Sequence, residues 1–187
     1  GDAVLGFDDY PDIAWKASAP RRKLIVREWR LDRSQDVLVC LDRGHRMAAR
    51  VGGLSKLDHA VNAALMLSYI CGRMEDRVGM LSFATEVEPG PVPARGATQM
   101  RRLTAFASGL QDRYLHTDYA GLGADLRRRL GHRTLIVVFT ALPEPQHDAL
   151  MQAARLLAPR HLPLVVVLSD PDLAAAAHLL PSSHGEL

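Results

Sequence analysis

The sequence predicts an α/β domain built on a doubly wound, mostly parallel sheet with one short antiparallel edge strand. Three observations carry that prediction. Four apolar runs of strand length occur in order: DVLVCL (36–41), RVGMLSF (77–83), TLIVVF (134–139) and PLVVVL (163–168). Three of them are near-continuous aliphatic stretches, the pattern of strands covered on both faces. Helical segments separate the runs, and strand–helix alternation builds a parallel sheet with helices on either side. The 187 residues, 48% of them hydrophobic, suffice for one domain with a substantial core.

The first 31 residues stand apart. Turn residues give way to an alternating stretch in which Ile25, Trp29 and Leu31 share one parity, the pattern of an extended arm leading into the sheet. Its two tryptophans, Trp15 and Trp29, either fasten the arm or anchor a partner. The main domain is then expected over 32–180, with a tail at 181–187. After the first strand, 57–74 is apolar almost all round and should pack deeply. Ser55 and Asp58 before it have the spacing of a capping pair. After the second strand, Ala84 and Thr85 leave room only for a tight turn into a short extended run at 86–89. That is a hairpin, and Pro89, Pro91 and Pro93 should stop its edge from pairing further. Helices are expected at 98–111, 118–130 and 145–158, the last with Pro145 in its first turn, and a short one at 171–180.

Composition and motifs narrow the function. A formal charge of +2 is too balanced to imply nucleic acid by itself. The basic runs Arg21-Arg22-Lys23, Arg101-Arg102 and Arg127-Arg128-Arg129 read as solvated faces, because consecutive charges spread around a helix. Cys40 and Cys71 form no disulfide framework and read as inert packing residues of a reducing compartment. No apolar stretch reaches the ~20 residues of a membrane span, and no secretory signal is visible. Because the chain opens on Gly1, the expectation is a cytoplasmic domain cut from a longer protein, with any membrane anchor in segments outside this chain. There is no G-x-S-x-G elbow and no glycine-rich phosphate loop. Ser169-Asp170 before a proline reads as a turn.

Several separated elements recur together in one known family. They are Trp15-Lys16-Ala17, Val26-Arg27-Glu28, a buried strand ending in Asp42, and Asp76-Arg77-Val78-Gly79 leading into the second strand. In these the chain, from about Phe7 to Pro171, resembles the domain-of-unknown-function-58 family, which is similar to von Willebrand factor A domains. The resemblance implies an interaction module rather than an enzyme. Family members are thought to work beside MoxR-type AAA ATPases in chaperone-like assembly or metal insertion, and full-length members often carry transmembrane helices before this region.

In von Willebrand A domains a Mg²⁺ sits at the carboxyl ends of the strands, where open α/β sheets bind their ligands. An Asp-x-Ser-x-Ser loop, a threonine and a third-loop aspartate hold it, supplying the oxygens a hard cation requires. Laid on this sequence, those positions are Asp42, Gly44, Arg46, Thr117 and Ala141. Only Asp42 and Thr117 keep a suitable oxygen. The resemblance therefore implies a degenerate metal-adhesion loop with no cofactor; nearby oxygens on Asp118, Thr140 and Glu144 would have to complete any Mg²⁺ shell. Asp42 is expected to accept backbone N–H bonds or to pair with an arginine. In the specific version, Arg46 or Arg43 takes the place of the missing ion. Thr117 precedes a helical run and reads as its N-cap, and His45 as a solvated loop histidine.

The leading expectation is a docking domain beside a MoxR-type AAA ATPase. Its contact edge would be Asp42, Arg43, His45, Arg46, Thr117, Asp118, Thr140 and Glu144. Two other classes stay open: a metal-assisted hydrolase using Asp42, and a nucleic-acid-binding module built on the arginine clusters, which the charge balance does not favour.

Overall fold

Strand-forming aliphatic runs dominate the centre of the molecule. The computed structural model describes residues 34–141 and 147–169. The arm at 1–31, the helix at 171–180, the tail, and the positions of Pro145 and Glu144 lie outside those residues. Five strands make the main sheet: β1 (Asp36–Asp42), β4 (Arg77–Phe83), β5 (Val87–Pro89), β6 (Thr134–Thr140) and β7 (Leu162–Val167). Their order is β5-β4-β1-β6-β7. β1 lies parallel to β4 and β6, β6 parallel to β7, and only the β4–β5 pair is antiparallel. The predicted hairpin edge is present.

The continuous apolar runs are explained by two cores. On one face Val37, Val39 and Leu41 meet Leu57, Ala60 and Ala64 of α1 (Lys56–Arg73) and Leu103 and Ala107 of α2 (Ala97–Ser108). On the other, Leu38 and Cys40 meet Leu122 and Leu126 of α3 (Tyr119–Arg129) and Leu150, Ala153 and Leu157 of α4 (His147–Leu157). Strand side chains alternate between faces, so a strand covered on both sides must be apolar at every position.

The predicted cap of α1 is a full capping box. The Ser55 hydroxyl accepts from the Asp58 N–H at 3.0 Å, and the Asp58 carboxylate accepts from the Ser55 N–H at 3.0 Å. The Ser55 hydroxyl also donates to Asp58 Oδ2 at 2.7 Å, and this bond, with the one from the Ser55 N–H, holds the Asp58 carboxyl below its ordinary range. Deep burial all round α1 is not observed. Leu57, Ala60, Ala64, Ser68 and Cys71 form its buried stripe, while Met66, Tyr69, Ile70 and Met74 are 48–66% exposed. A helix in an outer layer rests on the sheet by one face only. Among the described residues no helix is long and apolar enough to cross a membrane.

Two further details are local. Among the described residues β5 ends the sheet, as expected, while on its inner side pairing with β4 runs on past the prolines: Met80 N–H donates to the Pro91 carbonyl at 2.9 Å, and Val78 bridges to Ala94. A proline lacks an N–H but keeps its carbonyl, and Gly79 permits the approach, since a Cβ there would lie 2.7 Å from the Pro93 ring. Between β1 and α1 a short hairpin, β2 (Arg50–Val51) and β3 (Leu54–Ser55), turns on Gly52 and Gly53, both at positive φ, as a two-residue hairpin turn requires.

Candidate functional site

Asp42 is the last residue of β1, and its carboxylate lies at the carboxyl end of the sheet, 2% exposed. Oδ1 accepts from the Gly44 N–H at 2.8 Å and from the Thr117 hydroxyl at 2.8 Å. Oδ2 accepts from the Thr140 hydroxyl at 2.6 Å, with the Tyr119 hydroxyl 3.4 Å away. Tyr119 also lies 2.8 Å from Thr140 Oγ1. A threonine hydroxyl has one proton. Thr140 gives its proton to Asp42, so Tyr119 donates to Thr140, and a chain of donors ends on the carboxylate.

The fold brings these groups together from three segments. Thr140 ends β6, one of the two parallel neighbours of β1. Tyr119 opens α3 and packs edge-on against Phe83 of β4, with ring centroids 6.2 Å apart. Thr117 reaches Asp42 because residue 44 has no side chain: a Cβ there would overlap the Thr117 hydroxyl and lie 3.1 Å from Asp42 Oδ1.

Burial pushes the Asp42 carboxyl above its ordinary value, and the bonds from Thr140, Gly44, Thr117 and Tyr119 pull it partly back. Burial likewise pushes the Tyr119 phenol up to about 12. Tyr119 therefore stays protonated and remains a donor.

The arginine expectation is corrected. Arg43 turns away from Asp42, because adjacent residues at a strand end point to opposite faces. Its Nε donates to the Gln111 carbonyl at 2.8 Å, and its Nη1 donates to Ser82 Oγ at 3.2 Å and pairs with Glu88. Arg113 closes on the other Glu88 oxygen at 3.0 Å. This second polar cluster ties β5 to the loop before α3. Arg46 lies on a 3-10 turn (His45–Ala48), is exposed, and makes no ion pair with Asp42 among the described residues. Hydroxyls and one N–H, not a guanidinium, satisfy the carboxylate.

The capping role of Thr117 is corrected too. Asp118 caps α3, accepting from the Gly121 N–H at 2.9 Å. The helix starts one residue later than a Thr117 cap would require, and that leaves the Thr117 hydroxyl free for Asp42. Asp118 is spent on the cap. His45 Nδ1 lies 3.3 Å from the Leu115 carbonyl, and its ring meets His116 edge-on with centroids 5.1 Å apart. Ala141 is buried in the apolar core. The structure thus joins Asp42, Thr117 and Thr140 directly, sets His45 and Arg46 on the rim, and sends Arg43 to a separate cluster.

Tyr119, Glu88, Gln111 and Arg113 were not singled out from the sequence. The alternation of strand side chains could have redirected Arg43. Tyr119 has no sequence signal beyond being the first aromatic of a helix.

The donor set does not fit a resident Mg²⁺. Octahedral coordination needs several free oxygens, usually with carboxylate charge. Among the described residues a single carboxylate lies here, already accepting from one N–H and two hydroxyls at 2.6–2.8 Å, so a cation would have to displace those donors. Position 44 has no room for a serine, and position 141 is apolar. Among the described residues no three His, Cys, Asp or Glu side chains gather.

Solved structures share this architecture, which is von Willebrand factor A-like. The conserved hypothetical protein BatB from Bacteroides thetaiotaomicron superposes with a TM-score of 0.59 at 18% identity, covering 74% of this chain and 68% of that one. An aerotolerance-related membrane protein from Bacteroides fragilis NCTC 9343, carrying multiple mutations to serine, gives 0.59 at 20% identity, covering 74% and 69%. At such identities the likeness is one of fold. No curated protein matches the chain. The sequence itself matches the family described as Protein of unknown function DUF58 over residues 4–179, and the chain belongs to that family.

Proposed function

We propose that this is a non-enzymatic protein-interaction domain with a degenerate metal-adhesion loop. It docks a protein over the carboxyl edge of its sheet and works beside a MoxR-type AAA ATPase in chaperone-like assembly. One observation carries the reading: the Asp42 carboxylate is satisfied from within. With both oxygens occupied and 2% exposure, it has little left to offer a substrate or a cation. What it does instead is tie the loop after β1, the segment leading into α3 and the end of β6 to one point. The loops above it, carrying His45, Arg46 and His116, are thereby held as a preorganised platform, and a rigid surface loses little entropy when a partner docks.

The family resemblance supports an ATPase as the partner. The likeness to a protein described as a membrane protein supports a cytoplasmic domain of a membrane-anchored parent. Nucleic acid is not proposed, since Arg128 and Arg129 are drawn to Asp125 of their own helix.

The test mixes the purified chain with a MoxR-type AAA ATPase from the same organism, without nucleotide, with ADP and with a non-hydrolysable ATP analogue. Association in at least one state, weakened by Arg46→Glu, is the expected result. No association in any state overturns the reading. Stoichiometric divalent metal in the purified domain overturns its metal-free part.

A further inference from the structure

Away from the carboxyl edge, near the start of β4, a groove of about 650 Å³ lies between α1 and α2. Tyr69, Val78, Met100 and Leu103 are among its lining residues, and its surface is mainly apolar. The floor is set by Gln99, which is buried and donates to the carbonyls of Val78 at 2.7 Å and Val92 at 2.8 Å. Four charged residues line the groove: Arg73, Arg95, Arg101 and Asp76. Asp76 accepts from the Gln35 N–H at 2.9 Å and keeps its charge, so three arginines against one aspartate leave the lining with an excess of positive charge. Arginine stems lie along apolar surface and keep their charged ends at its edge. The groove also has spare room: among the described residues a Cβ on Gly72, within α1, would meet nothing within 4 Å.

We propose that this groove binds an amphiphilic anion, a single aliphatic chain ending in a carboxylate. Its volume lies within the ~300–1,000 Å³ of small-molecule sites, which are mostly apolar with a few polar groups fixing orientation. Apolar walls take the chain, and an excess of guanidinium at the mouth takes the head, since the planar fork of arginine matches a carboxylate. The polar hollow beside Asp125, lined by both signs of charge, offers no such match. The site is separate from the Asp42 edge and independent of the docking proposed there.

Three probes test it on the intact chain by calorimetry below their critical micelle concentrations: dodecanoate, dodecyl maltoside and butyrate. Dodecanoate is expected to bind at least tenfold more tightly than either the uncharged chain or the short acid. Gly72→Phe, which fills the groove from a position with open space, is expected to abolish binding without lowering the melting temperature. Arg73→Glu with Arg101→Glu is expected to weaken dodecanoate on the order of tenfold, the scale of one or two solvent-screened charge contacts, and to leave dodecyl maltoside unchanged. The proposal is overturned if dodecanoate does not bind, if its binding survives Gly72→Phe, or if the uncharged chain binds as tightly. Attachment to phosphatidylglycerol vesicles without dodecanoate binding would likewise overturn it in favour of a membrane surface.

Discussion

Replacing Thr140 by valine keeps the shape of a fully buried side chain and deletes one hydroxyl. That hydroxyl gives its proton to Asp42 at 2.6 Å and takes one from Tyr119 at 2.8 Å. Losing a hydrogen bond to an ionised group costs about 1.5–3 kcal/mol, and losing a neutral one about 1 kcal/mol. Part is recovered, because Tyr119 already lies 3.4 Å from the carboxylate and can turn its proton there. The net expectation is a loss of about 2–3 kcal/mol at pH 7, well short of the ~5–15 kcal/mol stability of a typical domain.

The loss should also depend on pH. The folded Asp42 carboxyl is raised above its unfolded value by burial, so its contribution to stability is fully present below the unfolded value and is lost as pH rises through the folded one. Thr140 supplies the largest opposing interaction, so its removal raises the folded value further. The penalty of the substitution is therefore largest at neutral pH and shrinks as the carboxyl becomes protonated. Urea unfolding followed by far-ultraviolet circular dichroism at pH 7 and pH 4 measures both effects. A loss under about 0.5 kcal/mol at pH 7, the scale of an ordinary surface change, would refute the reasoning, as would a larger loss at pH 4.

Two more outcomes follow from the geometry. Gly44→Ser restores a hydroxyl that the related loop carries, yet its Cβ would collide with Thr117; it should cost about 1–3 kcal/mol as overpacking and add no Mg²⁺ affinity by titration calorimetry. His161 is 4% exposed, and its Nδ1 finds no hydrogen-bond partner among the described residues. Burial, then the Arg160 charge, holds the ring below its ordinary value, so its contribution is present above the unfolded value of ~6.5 and is lost as pH falls below it. His161→Phe should flatten the stability profile between pH 7 and pH 5; thermal melts that keep the wild-type slope would count against this.

Much of the site was legible for a simple reason. Asp42 ends an uninterrupted aliphatic strand, and chain direction alone puts it at the carboxyl edge. Thr140 ends another such strand, so the two had to be near neighbours once the strands paired. The Ser55–Asp58 box was readable because both partners are three residues apart. The Gly52-Gly53 turn carried a local signal of the same kind that was not used. Arg43 was misassigned through chemistry without direction: a guanidinium next to a carboxylate in sequence points away from it on a strand. Thr117 was misassigned by a single residue of helix phase.

The sequence by itself determined the alternation of strands and helices, the antiparallel edge and the carboxylate at the end of β1. All of these follow from periodicity and turn chemistry within a few residues. Laid on the related metal loop, the sequence also has Gly44, Arg46 and, across the sheet, Ala141 at positions where the resemblance implies oxygen ligands. Only the tertiary structure decided what satisfies Asp42. Its donors come from Gly44, Thr117, Tyr119 and Thr140, up to 98 residues away in sequence, and hydrogen bonds are made or lost over a few tenths of an ångström. The same limit applies to the groove between α1 and α2. Each helix shows its own apolar stripe in sequence, but the space left between two helices depends on how they pack.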